Sequence, residues 1–397
     1  MGKYTRLARF TAILAFVIFI SVHFLTSKNR FQETISLKDQ ITREKYDINP
    51  ELTPARVTNI KTEYSDLMAY EERANAAFMT LARNEDLDKL AQSIRSVEDR
   101  FNHRFHYDWV FLNNEEFTIE FQKQIRNLCS GNVTFYKIPE EFWSYPELID
   151  MRKVFNNRIS SRVEMPYGSS ENYRFMCRFF SGFFYRLPVI KDYDYVWRVE
   201  PDIKLHCDIN YDVFKFMIDN DKHYGFTISI REFPKTIPSL WHHVQEFLKT
   251  FPRFLNEFHF LDFISDDEGK SYNLCHFWTN FEIIDLRFLQ SEAYESFFQY
   301  LDRTNGFFYE RWGDAPIHSI AVALFMSKHQ IHFFDDIGYF HDPISNCPIN
   351  NDIWTNNHCF CDQQKDATFK DYSCTRQFYD LLNLNKPKGW EKYTGIK

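Results

Sequence analysis

What this chain lacks first is an excess of basic charge. Lys and Arg total 47 against 55 Asp and Glu, giving a formal net charge of -8. A nucleic-acid binder carries a basic patch or a high domain pI, so that class is disfavoured from the start. Internal repeats and low-complexity tracts are absent, and no Pro/Gly/Ser-rich linker interrupts the chain after Asn75. One ordered domain over 75–397 is therefore expected rather than two. Paired C-x2-C knuckles are missing as well. The eight cysteines, Cys129, Cys177, Cys207, Cys275, Cys347, Cys359, Cys361 and Cys374, thus do not read as a zinc site. The last four crowd together near the C-terminus, which suggests disulfides in an oxidising compartment, with three connectivities open among those four.

One long run lacks charge altogether. Phe10 to Ser27, "FTAILAFVIFISVHFLTS", lies between Arg9 and Lys28, and its length falls within the roughly 17–25 residues of a spanning helix. It is long for the apolar region of a cleaved signal peptide, and no clear small-x-small site follows it. Lys3, Arg6 and Arg9 precede the run, a bias that keeps the N-terminus in the cytosol. The expected organisation is a cytosolic tail over 1–9, a transmembrane signal anchor over 10–27, a polar stem over 28–74, and a lumenal domain over 75–397. Asn132-Val133-Thr134 adds an N-glycosylation acceptor consistent with a lumenal setting.

What is abundant is aromatic: 43 Phe, 22 Tyr and 8 Trp. Most of these rings are expected in the core. Within the ordered part, "NAAFMTLAR", "DWVFLNN" and "VTFYKI" read as strands separated by helices, the first of them capped by Asn84 and carrying Leu87, Leu90, Ile94, Val97 and Phe101 on one stripe. This β-α-β-α-β order predicts an α/β domain with a parallel, doubly wound core and a ligand crevice beyond the carboxyl ends of its strands. Arg83, Asn84, Asn113, Asn114, Glu200 and Asp202 fall at such ends.

In "YDYVWRVEPDIKL", a strand-like alternation stops on Glu200-Pro201-Asp202. Extended residues i and i+2 point to one face, and the proline pushes Glu200 toward an extended conformation. Two carboxylates projecting together suit a hard divalent cation that bridges to phosphate oxygens. A solvated strand end explains the tripeptide equally simply. Glu282 in "TNFEIIDL" is a charge in an otherwise apolar strand, a pattern that calls for a buried partner or a chemical task. Asp314, ahead of Ala315-Pro316, reads as a helix N-cap.

Longer segments narrow the choice. "GSSENYRFMCRFFSGFFYRLP", "YDYVWRVEPDIKLHCDINYDVF", "YNLCHFWTNFEIIDL", "GFFYERWGDAPIHSIAVALF" and "IHFFDDIGYFH" together resemble the fungal α-1,2-mannosyltransferases of glycosyltransferase family 15. The resemblance implies a GT-A-like fold with a Rossmann-type mixed sheet, GDP-mannose as donor, Mn2+ as cofactor, a mannosylated glycoprotein acceptor, a Golgi membrane setting and retention of anomeric configuration. It makes Glu200 and His341 metal ligands with Asp202 a candidate neighbour, and Glu282 the nucleophile or the stabiliser of positive charge at the anomeric carbon. Tyr173 and Arg83 fall to the donor and Glu232 to the acceptor. Phe175 stands where relatives often have His, so one polar contact near the crevice is absent. Two alternatives stay open: an idle glycan-binding subunit of a Golgi complex, and a transferase of the same fold making another linkage. An idle relative would be free to lose Glu200, Tyr173, Glu282 and His341, and all four are present.

Overall fold

A computed structural model describes residues 73–395. The expected anchor over 10–27 and nearly all of the expected stem lie outside these residues. Among the described residues no helix is long and apolar enough to cross a membrane.

Seven strands form the central sheet in the order β10-β6-β9-β4-β1-β2-β3. They are β1 (Ala76–Leu81), β2 (Asp108–Asn113), β3 (Val133–Lys137), β4 (Tyr195–Val199), β6 (Tyr224–Phe226), β9 (Phe281–Asp285) and β10 (Ile331–Phe333). β1, β2, β3 and β4 run parallel, as the alternation predicts. β9 runs antiparallel to both β4 and β6, so the sheet is mixed. Its central strands read as apolar runs because helices cover both faces.

Those faces fill from alternate residues. Phe78, Trp109, Phe111, Trp197 and Ile283 pack on one side against the helices Leu87–Val97, Ile119–Leu128 and Val213–Asp219. Val110, Leu112, Val196 and Ile284 face the other side, where the helices Glu171–Gly182, Leu240–Thr250, Glu292–Asp302 and Asp314–Phe325 lie. The helix Glu171–Gly182 opens on a Ser170 side chain that accepts from Tyr173 N, satisfying one of the amides that a helix start leaves unpaired. It ends at Gly182, where a Cβ would fall inside the ring of Phe298, so close approach to the neighbouring helix requires glycine there.

Two small sheets shape the crevice end. β5 (Lys204–Leu205) pairs antiparallel with β11 (Tyr339–His341), which pairs with β12 (Ile344–Asn346). β7 (Ser229–Arg231) pairs with β8 (Cys275–Phe277). The segment "YGFTISI" is divided between β6 and β7, and "HFWTNFEIIDL" between β8 and β9.

The disulfides correct the expected C-terminal cluster. Only Cys347–Cys361 joins two of the last four cysteines, while Cys207–Cys359 and Cys275–Cys374 fasten the C-terminal segment to the chain just after β5 and to β8. Cys129 and Cys177 are free thiols. Asn132 is exposed at the start of β3, the edge strand of the sheet. It therefore lies at the amino end of the parallel strands, opposite the crevice.

Candidate functional site

The site begins with one strand pairing. Arg198 of β4 stands directly opposite Glu282 of β9, and residues paired in this way share a sheet face. Against that face packs the helix Asp314–Phe325, every residue of which is buried. Asp314 and His318 are one turn apart and so occupy the same side of it. A cross-strand pair of charges therefore meets a one-turn pair of charges.

The contacts follow from that geometry. Arg198 donates through Nη1 to Asp314 Oδ2 at 2.6 Å and through Nε to Glu200 Oε1 at 2.6 Å, and its guanidinium lies 3.5 Å from the centre of the Phe180 ring. The Thr279 hydroxyl donates to Asp314 Oδ2 at 2.7 Å. His318 places Nδ1 2.7 Å from Glu282 Oε1 and Nε2 3.0 Å from the Phe180 carbonyl oxygen. Glu282 is 1% exposed and His318 0%. Charges this deep persist only when paired and hydrogen-bonded.

The shifts at these groups agree with the pairing. Burial works to raise the Asp314 carboxyl, but Arg198, His318 and the Thr279 hydroxyl outweigh it and hold it below the usual carboxylate range. Burial works to lower His318, yet Glu282, Asp314 and the Phe180 carbonyl bring it above the usual imidazole range. The expectation that Asp314 is an N-cap is corrected: Gly313 occupies that position, and the Asp314 side chain turns to the sheet instead.

Glu200 follows the last residue of β4 at the crevice end, half-buried beside Arg198. Asp202 does not share its face, which corrects the extended reading of Glu200-Pro201-Asp202. Its φ of 68° breaks the strand, and its carboxylate pairs with Lys89 at 2.5 Å. His341 closes β11, and the pairing of Phe340 with Lys204 brings that segment alongside the chain leaving Glu200. Tyr339, two residues before His341, is raised well above its usual pKa by burial and then by the charge of Glu200. The ring of His341 sits 5.3 Å from that of Trp278.

Among the described residues no three His, Cys, Asp or Glu side chains cluster closely enough to hold a metal on their own. A carboxylate and an imidazole on adjoining segments still suit Mn2+, which readily takes its remaining ligands from phosphate oxygens.

The other expected residues divide. Tyr173 stacks on Tyr167 with ring centres 4.6 Å apart and lies 5.0 Å below the Arg311 guanidinium; burial raises its hydroxyl well above the usual range. Glu232 follows the last residue of β7. Its carboxylate is largely buried, 3.3 Å from Arg311 Nη2, and accepts from Phe233 N at 2.7 Å. Arg83 is exposed, and its guanidinium is bound to Asp86 at 3.0 Å and to Glu85, so reaching a nucleotide requires those contacts to be exchanged. Reasoning from sequence missed Arg198, Arg311 and His318. The available signal was Asp314 and His318 at i and i+4 in an otherwise apolar helix, a spacing that marks a charged stripe facing something buried.

Comparison with known proteins identifies the family. Residues 26–383 match the family described as glycolipid 2-alpha-mannosyltransferase. The chain is 56% identical over 324 residues to alpha-1,2 mannosyltransferase KTR1 of Saccharomyces cerevisiae, covering 81% of this chain and 82% of that one. It is 43% identical over 388 residues to O-glycoside alpha-1,2-mannosyltransferase omh1 of Schizosaccharomyces pombe, covering 97% and 98%. The crystal structure of core-mannan synthase A from Aspergillus fumigatus in its Mn/GDP form superposes with a TM-score of 0.73 at 37% identity, covering 79% of this chain and 87% of that one.

Proposed function

The chain belongs to glycosyltransferase family 15, and from that premise we propose a retaining α-1,2-mannosyltransferase that moves mannose from GDP-mannose to a mannose hydroxyl of glycoprotein glycans. The observation that carries this reading is the buried pairing of Arg198 and Glu282 across β4 and β9, with Glu200 held by the same arginine at the crevice end. An apolar sheet face has no use for such charges unless they act on something.

Glu200 and His341 would hold Mn2+, which would supply positive charge against the phosphates of the nucleoside diphosphate. Arg198 aims Glu200 through its hydrogen bond to Oε1. Glu282 acts at the anomeric carbon. Retention follows either from attack by its carboxylate and a second displacement, or from same-face attack with Glu282 stabilising positive charge. Tyr173 and Arg311 border the donor, and Glu232 lies toward the acceptor. The positive φ of Asp202 and its ion pair with Lys89 favour a structural role for that carboxylate.

The test is transfer from GDP-mannose to α-methyl mannoside by the purified domain, with and without Mn2+, followed by linkage analysis. A metal-dependent α-1,2 product of retained configuration is expected. Tight GDP binding in Mn2+ without transfer would instead identify an idle glycan-binding subunit.

We also infer a type II Golgi membrane protein. The uncharged run Phe10–Ser27, three disulfides and an exposed Asn132 support it. Enzymatic removal of one N-glycan, lost in Asn132→Gln, is the expected result in the intact chain. A protein from sealed membranes digested by external protease would contradict it.

A further inference from the structure

A buried imidazole declares its charge through what its two nitrogens touch. His318 Nε2 lies 3.0 Å from the Phe180 carbonyl oxygen, which only accepts, so Nε2 carries a hydrogen. Nδ1 lies 2.7 Å from Glu282 Oε1. A neutral imidazole with its hydrogen on Nε2 has nothing to donate to an ionised Glu282, and two acceptors cannot approach this closely without a proton between them. Exactly one proton must therefore sit between Nδ1 and Oε1, and the pair is neutral as a whole.

The surroundings decide on which side it rests. Asp314, one turn before His318 on the same helix, favours a cation on the ring. Arg198 of β4, opposite Glu282, favours an anion on the carboxylate. From β6 the buried Tyr224 hydroxyl lies near enough to feel the Glu282 charge. From the helix Glu292–Asp302, Tyr294 offers only its ring, at 6.0 Å, because its hydroxyl donates to the Ser181 carbonyl. Phe184 likewise presents a ring. Every charged neighbour pushes the same way.

We propose that His318 is a positioning residue: as an imidazolium it donates from Nδ1 to Oε1 of Glu282 and fixes that oxygen, so that Oε2 is the oxygen working at the anomeric carbon, and their shared proton sets the upper pH limit of transfer. This rests on the reading in which Glu282 is catalytic. The two groups titrate as a unit, and loss of the Nδ1 proton leaves Glu282 without its donor.

The experiment is a pH–rate profile of mannosyl transfer for the parent and for His318→Gln, with GDP binding in Mn2+ as the check on folding. The parent rate should fall on the alkaline side, above the ordinary histidine range. His318→Gln should lose that fall, leaving a profile that stays level where the parent declines, because glutamine has no proton to lose in this range. A variant profile of unchanged shape, merely scaled down, would overturn the proposal. Should the variant not fold, histidine ring 15N spectra of the parent decide. His223, bridging Asp221 and Asp285, gives one doubly protonated ring, assigned by His223→Gln; a second at pH 7.5 is expected from His318. No second ring of that kind would overturn the proposal. Transfer at the parent rate by Glu282→Ala, with the second doubly protonated ring seen in the parent, would remove the catalytic reading and leave the proton assignment standing.

Discussion

The strands β4 and β9 present two faces of opposite character. Toward one side they turn Tyr195, Trp197, Val199, Phe281 and Ile283, all buried among aromatic and aliphatic neighbours. Toward the other they turn Arg198 and Glu282 between Val196 and Ile284. The backbone is shared, so the difference lies in what each face is for. The apolar face stabilises by removing surface from water, at roughly 25 cal/mol per Å2. The charged face must first recover the desolvation of its ions, and well-packed apolar residues would serve stability as well or better. Charges kept under those terms are what the proposed chemistry at this face requires.

Removing one charge from the ionic face is the most severe way to test this contrast. Arg198→Met leaves Asp314 and Glu282 buried and Glu200 unpaired, and is expected to lower unfolding stability by about 3–5 kcal/mol and to abolish transfer in whatever folds. Phe78→Ala, on the opposite face where Phe78 stacks on Trp109, should cost about 3–5 kcal/mol as well, yet leave turnover per folded molecule unchanged. Calorimetry paired with the transfer assay separates the two, and equal turnover losses would erase the distinction between the faces.

Smaller effects belong to the crevice rim. Glu200→Ala and His341→Ala should each raise the Mn2+ concentration needed for GDP binding by about 10–100-fold, as read by titration calorimetry, with little change in stability for His341→Ala. An unaltered Mn2+ titration would detach that residue from the metal. Smallest is a pH effect remote from the site. Burial raises the Asp366 carboxyl to about 6 despite its bonds from Cys347 and Thr368. A carboxyl held above its unfolded value stabilises the fold in its protonated state, so its contribution is full below the unfolded value near 4 and is lost as pH rises through about 6. Thermal unfolding should lose stability from pH 5 to 7.5, and Asp366→Asn should flatten that slope.

The contrast between faces also explains what could be read from the sequence. β1, β2 and β3 were legible because apolar runs bounded by helix signals encode buried parallel strands. The antiparallel direction of β9 was not, since alternation along a strand carries no sign of its direction. Glu200 and Glu282 stood out as charges at the end and in the middle of apolar strands. Asp202 misled because spacing presumes an extended backbone, and a positive φ turns its side chain away. His318 passed unnoticed because a lone histidine in an apolar helix looks like core until the carboxylate across from it is known. The disulfides depended on tertiary proximity, which brings Cys374 to Cys275 across 99 residues.

One paired measurement bears most directly on the ionic face as the seat of mannosyl transfer: GDP affinity in Mn2+ and transfer to α-methyl mannoside, both recorded for Glu282→Ala. The account predicts GDP affinity close to the parent's and transfer lower by about a thousandfold or more. Transfer within about tenfold of the parent, at the same GDP affinity, would contradict it.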